Sequence, residues 1–128
     1  MTPYSTTPHR YPFPALAAQA GRGRIGGTRE IALACLMAAH LASDARTACT
    51  RLDDAARAER VASARGWFAA LTVPATLRAA CERVIDAAAR TAYADLAPAL
   101  AAVSGAARRH LDRDSVAELE RVVETLRT

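Results

Sequence analysis

Ile31-Ala32-Leu33-Ala34-Cys35-Leu36-Met37-Ala38-Ala39-His40-Leu41-Ala42 is apolar at every position except His40. A helix that is hydrophobic all round is either a membrane span or the centre of a bundle. These twelve residues, bordered by Arg29, Glu30 and Asp44, are too short to cross about 30 Å of hydrocarbon. The stretch therefore predicts a central core helix, and an all-α fold packed around it.

Working outward, Thr28 stands where a cap is expected, and Glu30 lies in the first turn, where the helix dipole favours an acid. Residues 44–52 keep a helical spacing but carry Thr47 and Thr50, so the sequence leaves open a short helix or an irregular connection. A clearer helix runs from Asp53 or Asp54 to Leu71, with Ala58, Val61, Ala62 or Ala64, Arg65 by its stem, Phe68 and Leu71 as its expected buried stripe. Thr72-Val73-Pro74 makes a tight connection to a helix over Ala75 to Ala92. There Leu77, Ala80, Cys81, Val84, Ala88 and Thr91 recur at helical spacing, while Arg78 with Glu82 and Asp86 with Arg90 suit an outer face. Asp95 is the expected cap of a helix through Leu96, Leu100 and Val103, which Gly105 ends or weakens. In the last helix Leu111 precedes a cap at Asp112, Ser115 and Glu118 have capping-box spacing, and Leu119, Val122, Val123 and Leu126 line one face. No alternating strand pattern competes. The expectation is a single-domain helical bundle of about five helices over residues 28–128.

The segment before it reads differently. Pro3, Pro8, Pro12 and Pro14 forbid a continuous helix at the start; Ala15 to Ala20 has room for a turn or two, and Gly21 to Gly27 reads as a hinge. Residues 1–27 are thus expected to form an extended, Pro/Gly-rich basic arm and hinge, separable from a body that folds from Thr28 onward. The formal net charge is +4, and it resides in this segment: Arg10, Arg22, Arg24 and Arg29 precede Glu30, and no acid does. From Glu30 onward arginines and acids balance. All 17 basic residues are arginine, a bias that a GC-rich, bacterial-like composition imposes by itself, so arginine abundance is not evidence of phosphate binding.

Cys35, Cys49 and Cys81 are odd in number, lack metal-ligand spacing and sit on apolar stripes, which reads as buried thiols in a reducing, cytoplasmic setting. No signal-peptide or transmembrane pattern is expected.

Motifs that suggest chemistry meet bland competitors. Gly21-x-Gly23-x-x-Gly26 matches the dinucleotide fingerprint, but without a strand before it or after the following helix it reads as a hinge. His110, Asp114 and Glu118 are spaced four apart, yet a helix boundary falls among them and capping explains the acids. The helix after Pro74 carries Glu82 and Asp86, which phosphates repel, so it does not read as a DNA-recognition helix. His40 has no base or acid at a telling spacing, and no serine sits in a nucleophile elbow.

No catalytic constellation, metal site or cofactor is expected. The sequence points to a non-enzymatic interaction module, an accessory or scaffold subunit that engages a protein partner or forms a homo-oligomer. Its expected contacts are Tyr4, Arg10, Tyr11, Phe13, Arg22 and Arg24, with aromatic anchors and an arginine rim. Nucleic-acid binding through the same arginines is the alternative, and a small-molecule enzyme fits least.

Overall fold

The computed structural model describes residues 13–48 and 54–127. Among them the chain is a strand-free, single-domain bundle of six helices: α1 (Pro14–Arg22), α2 (Thr28–Ala48), α3 (Asp54–Ala69), α4 (Ala75–Ala89), α5 (Leu96–Ala107) and α6 (Arg113–Arg127), with a 3₁₀ turn at Tyr93–Asp95 before α5.

The all-apolar stretch is the bundle's axis. Every residue from Ile31 to Ala39 is buried, as are Leu41, Ala42 and Ala45, and α2 touches each of the other five helices. The helix runs past Ala42 to Ala48, which settles residues 44–48 as helical; residues 49–52, with Cys49, lie outside the described residues. Packing explains the extension, because Ala45 buries its side chain while the Arg46 guanidinium donates to the Leu126 carbonyl at the end of α6. Tertiary contacts of this kind override the weak helix propensity of threonine.

The described part of the expected arm is helical and belongs to the body. Pro14 occupies the first turn of α1, where its missing N–H costs nothing, and Leu16, Ala17 and Ala20 are fully buried against α2 and α6. Among the described residues the packed bundle therefore already includes α1, ahead of Thr28. The remainder of the arm, residues 1–12, lies outside the described residues.

Gly23–Gly27 is a tight turn. A Cβ on Gly23 would lie 2.6 Å from the Arg29 backbone nitrogen, and Gly26 has φ +81°, so both positions need glycine. The Arg24 carbonyl accepts from Gly27 and Arg29 N–H groups at 3.1 and 3.2 Å. The Glu30 carboxylate reaches back to the N–H groups of Gly26 and Gly27 at 2.7 and 3.1 Å. Glu30, more than Thr28, closes the start of α2; the Thr28 hydroxyl accepts only a long bond of 3.4 Å from Arg24 N–H.

Helix α4 keeps its expected stripe, with Leu77, Ala80, Cys81, Val84 and Ala88 buried and Ile85 and Ala87 added. It stops early, at Ala89. Thr91 adopts φ +53°, Thr91 N–H bonds to Ala88 O and Ala92 N–H bonds to Ala87 O, the paired bonds of a Schellman termination. Thr91 is consequently exposed rather than part of the stripe.

Helix α3 keeps the centre of its expected stripe but buries a narrower one. It buries Val61, Ala64 and Phe68, and leaves Ala58, Ala62 and Arg65 outside. Two large side chains decide the facing, since an alanine gains little from either orientation. The expected surface pairs on α4 are also redistributed: Arg78 donates to Leu71 O and lies 4.9 Å from the Phe68 ring centre, and Asp86 pairs with Arg65 of α3 at 3.4 Å. Asp112 caps α6 as the sequence implies, its Oδ1 accepting the Ser115 N–H at 2.8 Å, whereas Asp95 makes no side-chain cap on α5.

Candidate functional site

Three features carry polar chemistry or open surface. The first is the junction of α1 with α6. Helix α1 has Phe13 as its cap residue, with no side-chain acceptor of its own, so its leading N–H groups require one from elsewhere. Glu118 provides it: the carboxylate, only 4 % exposed, accepts from Ala15 N–H at 2.9 Å and Leu16 N–H at 2.8 Å. At the other end of α1, the buried Gln19 donates Nε2–H to His110 O at 3.1 Å and accepts Asp112 N–H at 3.0 Å. Arg22 completes the seam with an ion pair to Asp112. This network ties α1 to α6, and its buried members, Glu118 and Gln19, are satisfied within the chain.

The consequences for the suggested chemistry are direct. Glu118 is engaged at α1, which removes it from a ligand set with His110 and Asp114, and no group of three His, Cys, Asp or Glu residues able to hold a metal occurs among the described residues. The N–H groups of Gly26 and Gly27 are taken by Glu30, and Gly21 is inside α1. The glycine pattern therefore forms a closed turn with those two donors already satisfied, not a phosphate cradle.

His40 and the cysteines are likewise inward groups. The His40 ring meets Phe13 edge-on at 4.9 Å between centroids. Burial lowers its pKa from the ordinary value, and the nearby Asp44 carboxylate partly opposes that. Cys35 and Cys81 are buried free thiols. Burial pushes Cys81 up to about 12, with Arg78 pulling it down and Glu82 adding to the rise. Burial, helped by Cys81, raises Cys35 well above its ordinary value. Neither is a nucleophile at neutral pH.

The second feature is an open groove of about 830 Å³ between α3 and the end of α4, lined by Arg57, Ala58, Ala62, Arg65 and Gly66 on one wall and by Ala89 and Thr91 on the other. Ala55, Ala58, Ala62, Gly66 and Ala69 form an exposed face of small residues beside it. The third is the end of the bundle where the Gly23–Gly27 turn meets the α5–α6 turn. Here Ile25 is 82 % exposed, the one exposed large hydrophobic side chain among the described residues.

Of the six contact residues expected from sequence, Tyr4, Arg10 and Tyr11 lie outside the described residues. Phe13 is buried in the chain's own core, Arg22 is ion-paired to Asp112, and Arg24 is exposed on the turn. Glu118 and Gln19 escaped sequence reasoning. A usable signal existed for Glu118, which shares the helical face of Ser115, Leu119 and Val122; a carboxylate on a buried stripe demands donors.

Comparison with protein-family models, with curated proteins and with solved structures yields no match. Among the described residues no helix is long and apolar enough to cross a membrane.

Proposed function

We propose that this chain is a non-enzymatic helical interaction module, an accessory or scaffold subunit that holds a helix of a partner protein in the groove between α3 and α4. The observation that carries the reading is the outer face of α3. Of its sixteen residues only Val61, Ala64 and Phe68 are buried, and the small side chains at Ala58, Ala62 and Gly66 let a second helix approach closely. Arg57 and Arg65 flank the groove eight residues apart, about 12 Å along the axis, paired in the free chain with Asp54 and Asp86, which a partner's carboxylates would replace. That spacing suits carboxylates two turns apart on the incoming helix, so the occupant is a small-faced helix with acidic flanks. Docking through the N-terminal segment is less favoured, because Phe13, its one described aromatic anchor, is buried in the chain's own core. A reducing, cytoplasmic setting goes with the reading, supported by the two free buried thiols.

The test compares affinity capture by the intact chain with capture by its Ala62→Arg variant. Ala62 is exposed, so the variant keeps its melting temperature. A protein retained by the first after nuclease treatment and lost by the second supports the groove. Equal retention by both refutes it, as does a sedimentation result in which the intact chain dimerises and Ala62→Arg does not, since the groove would then be occupied by a second copy.

A further inference from the structure

The bundle end that carries the Gly23–Gly27 turn is rich in exposed arginine. The Gly23–Gly27 turn is pinned by the Glu30 carboxylate and by two bonds to the Arg24 carbonyl. Ile25 is therefore displayed by a built turn rather than left on a loose tip. Gln19 and the Arg22–Asp112 pair tie the α5–α6 turn to the same end, so that Arg108, Arg109 and Arg113, which surround Asp112 in sequence, share that end with Arg24, two residues beyond Arg22. Arg24, Arg109 and Arg113 make no ion pair among the described residues, and Arg22 and Arg108, though paired, keep 60 % and 65 % of their side chains exposed. The acids here are largely occupied. Glu30 serves the turn, Asp112 serves Ser115 and Arg22, and Glu120 pairs with Arg108, leaving Asp114 as the unpaired exposed acid.

We propose that this end rests on an anionic lipid surface, with Ile25 entering the headgroup boundary and Arg24, Arg109 and Arg113 facing lipid phosphates and carboxylates. Charge complementarity selects an anionic occupant, and the aliphatic tip selects a bilayer over nucleic acid, because isoleucine has no π face on which a base stacks. One aliphatic side chain and a few arginines give weak, reversible attachment. The α3 groove lies on other elements and stays open.

The measurement is co-sedimentation of the full chain with phosphatidylcholine vesicles, with and without about one-third phosphatidylserine. Binding is expected only with phosphatidylserine, falling as salt rises and unaffected by millimolar inorganic phosphate. Ile25→Ser should weaken it on the order of tenfold, and the Arg109→Ser, Arg113→Ser double variant about thirtyfold, roughly fivefold per charge. These side chains are exposed, so all variants should melt with the parent. Absence of vesicle binding, binding indifferent to phosphatidylserine, or an Ile25→Ser variant that binds as well as the parent overturns the proposal. Salt-sensitive binding to duplex DNA without vesicle binding reassigns the face to nucleic acid.

Discussion

The carboxylate of Glu118 accepts the backbone N–H of Leu16 at 2.8 Å, across 102 positions of sequence. With the companion bond to Ala15 it supplies the N-terminal cap that α1 lacks locally. A buried carboxylate and a positive helix terminus satisfy one another, and neither is stable alone. Replacing Glu118 with Ala orphans both N–H groups and leaves a void, at a cost of about 2–4 kcal/mol. Glu118→Gln retains one acceptor oxygen, so it should lose roughly half as much. Denaturant unfolding of the two variants checks the order.

Thr91 gives a prediction of opposite sign. A β-branched residue in the left-handed region is strained by about 1–2 kcal/mol, and Thr91 sits there at φ +53° in the termination of α4. Thr91→Gly should stabilise the fold by about 0.5–1 kcal/mol after allowing for the greater freedom of glycine in the unfolded chain. A thermal melt that falls instead would show that the threonine side chain makes a compensating contact.

His40 makes stability depend on pH. Burial beside Phe13 lowers its folded pKa below the ordinary 6.5, so the unfolded chain binds more protons in the window below that value. Its contribution is present above pH 6.5 and is lost as pH falls toward and through the depressed folded value. The wild type should lose melting temperature between about pH 7 and 5 more steeply than His40→Gln. Asp44→Asn should steepen the loss, because Asp44 is the group that partly holds the pKa up.

Cys35 and Cys81 should react slowly with alkylating agents in the native protein and rapidly after denaturation. Both thiols are buried and their pKa values raised, so little thiolate exists at pH 8. Mass measurement of the labelled chain over time reads this directly.

Much of this bundle was legible in sequence. Ile31 to Ala42 left no ambiguity of face, and the stripes at Leu77–Ala88 and Leu119–Leu126 contain enough branched residues to fix their orientation. Helix α1 was obscured because four prolines dominate residues 1–14 and because its cap arrives from α6, a contact that only the tertiary fold creates. The buried stripe of α3 was read too wide for a different reason: its alanines occur on both faces, and Val61 and Phe68 alone distinguish them. The groove depends on how α3 meets the end of α4, a tertiary relation that periodicity does not carry. The closed Gly23–Gly27 turn was hidden in the same way, since Glu30 reads as a dipole acid until its reach back to Gly26 is known.

The account's central claim is that α1 is part of the folded body, sealed by Glu118. Deleting residues 1–27 tests it most directly. Removal uncovers the apolar surface that Leu16, Ala17 and Ala20 bury and takes away the two N–H donors that Glu118 holds, together several kcal/mol against a total of roughly 5–15. The truncated chain should lose its cooperative thermal transition by circular dichroism or melt at least 15 °C lower. A cooperative melt within a few degrees of the full chain would contradict the claim and restore a body that begins at Thr28.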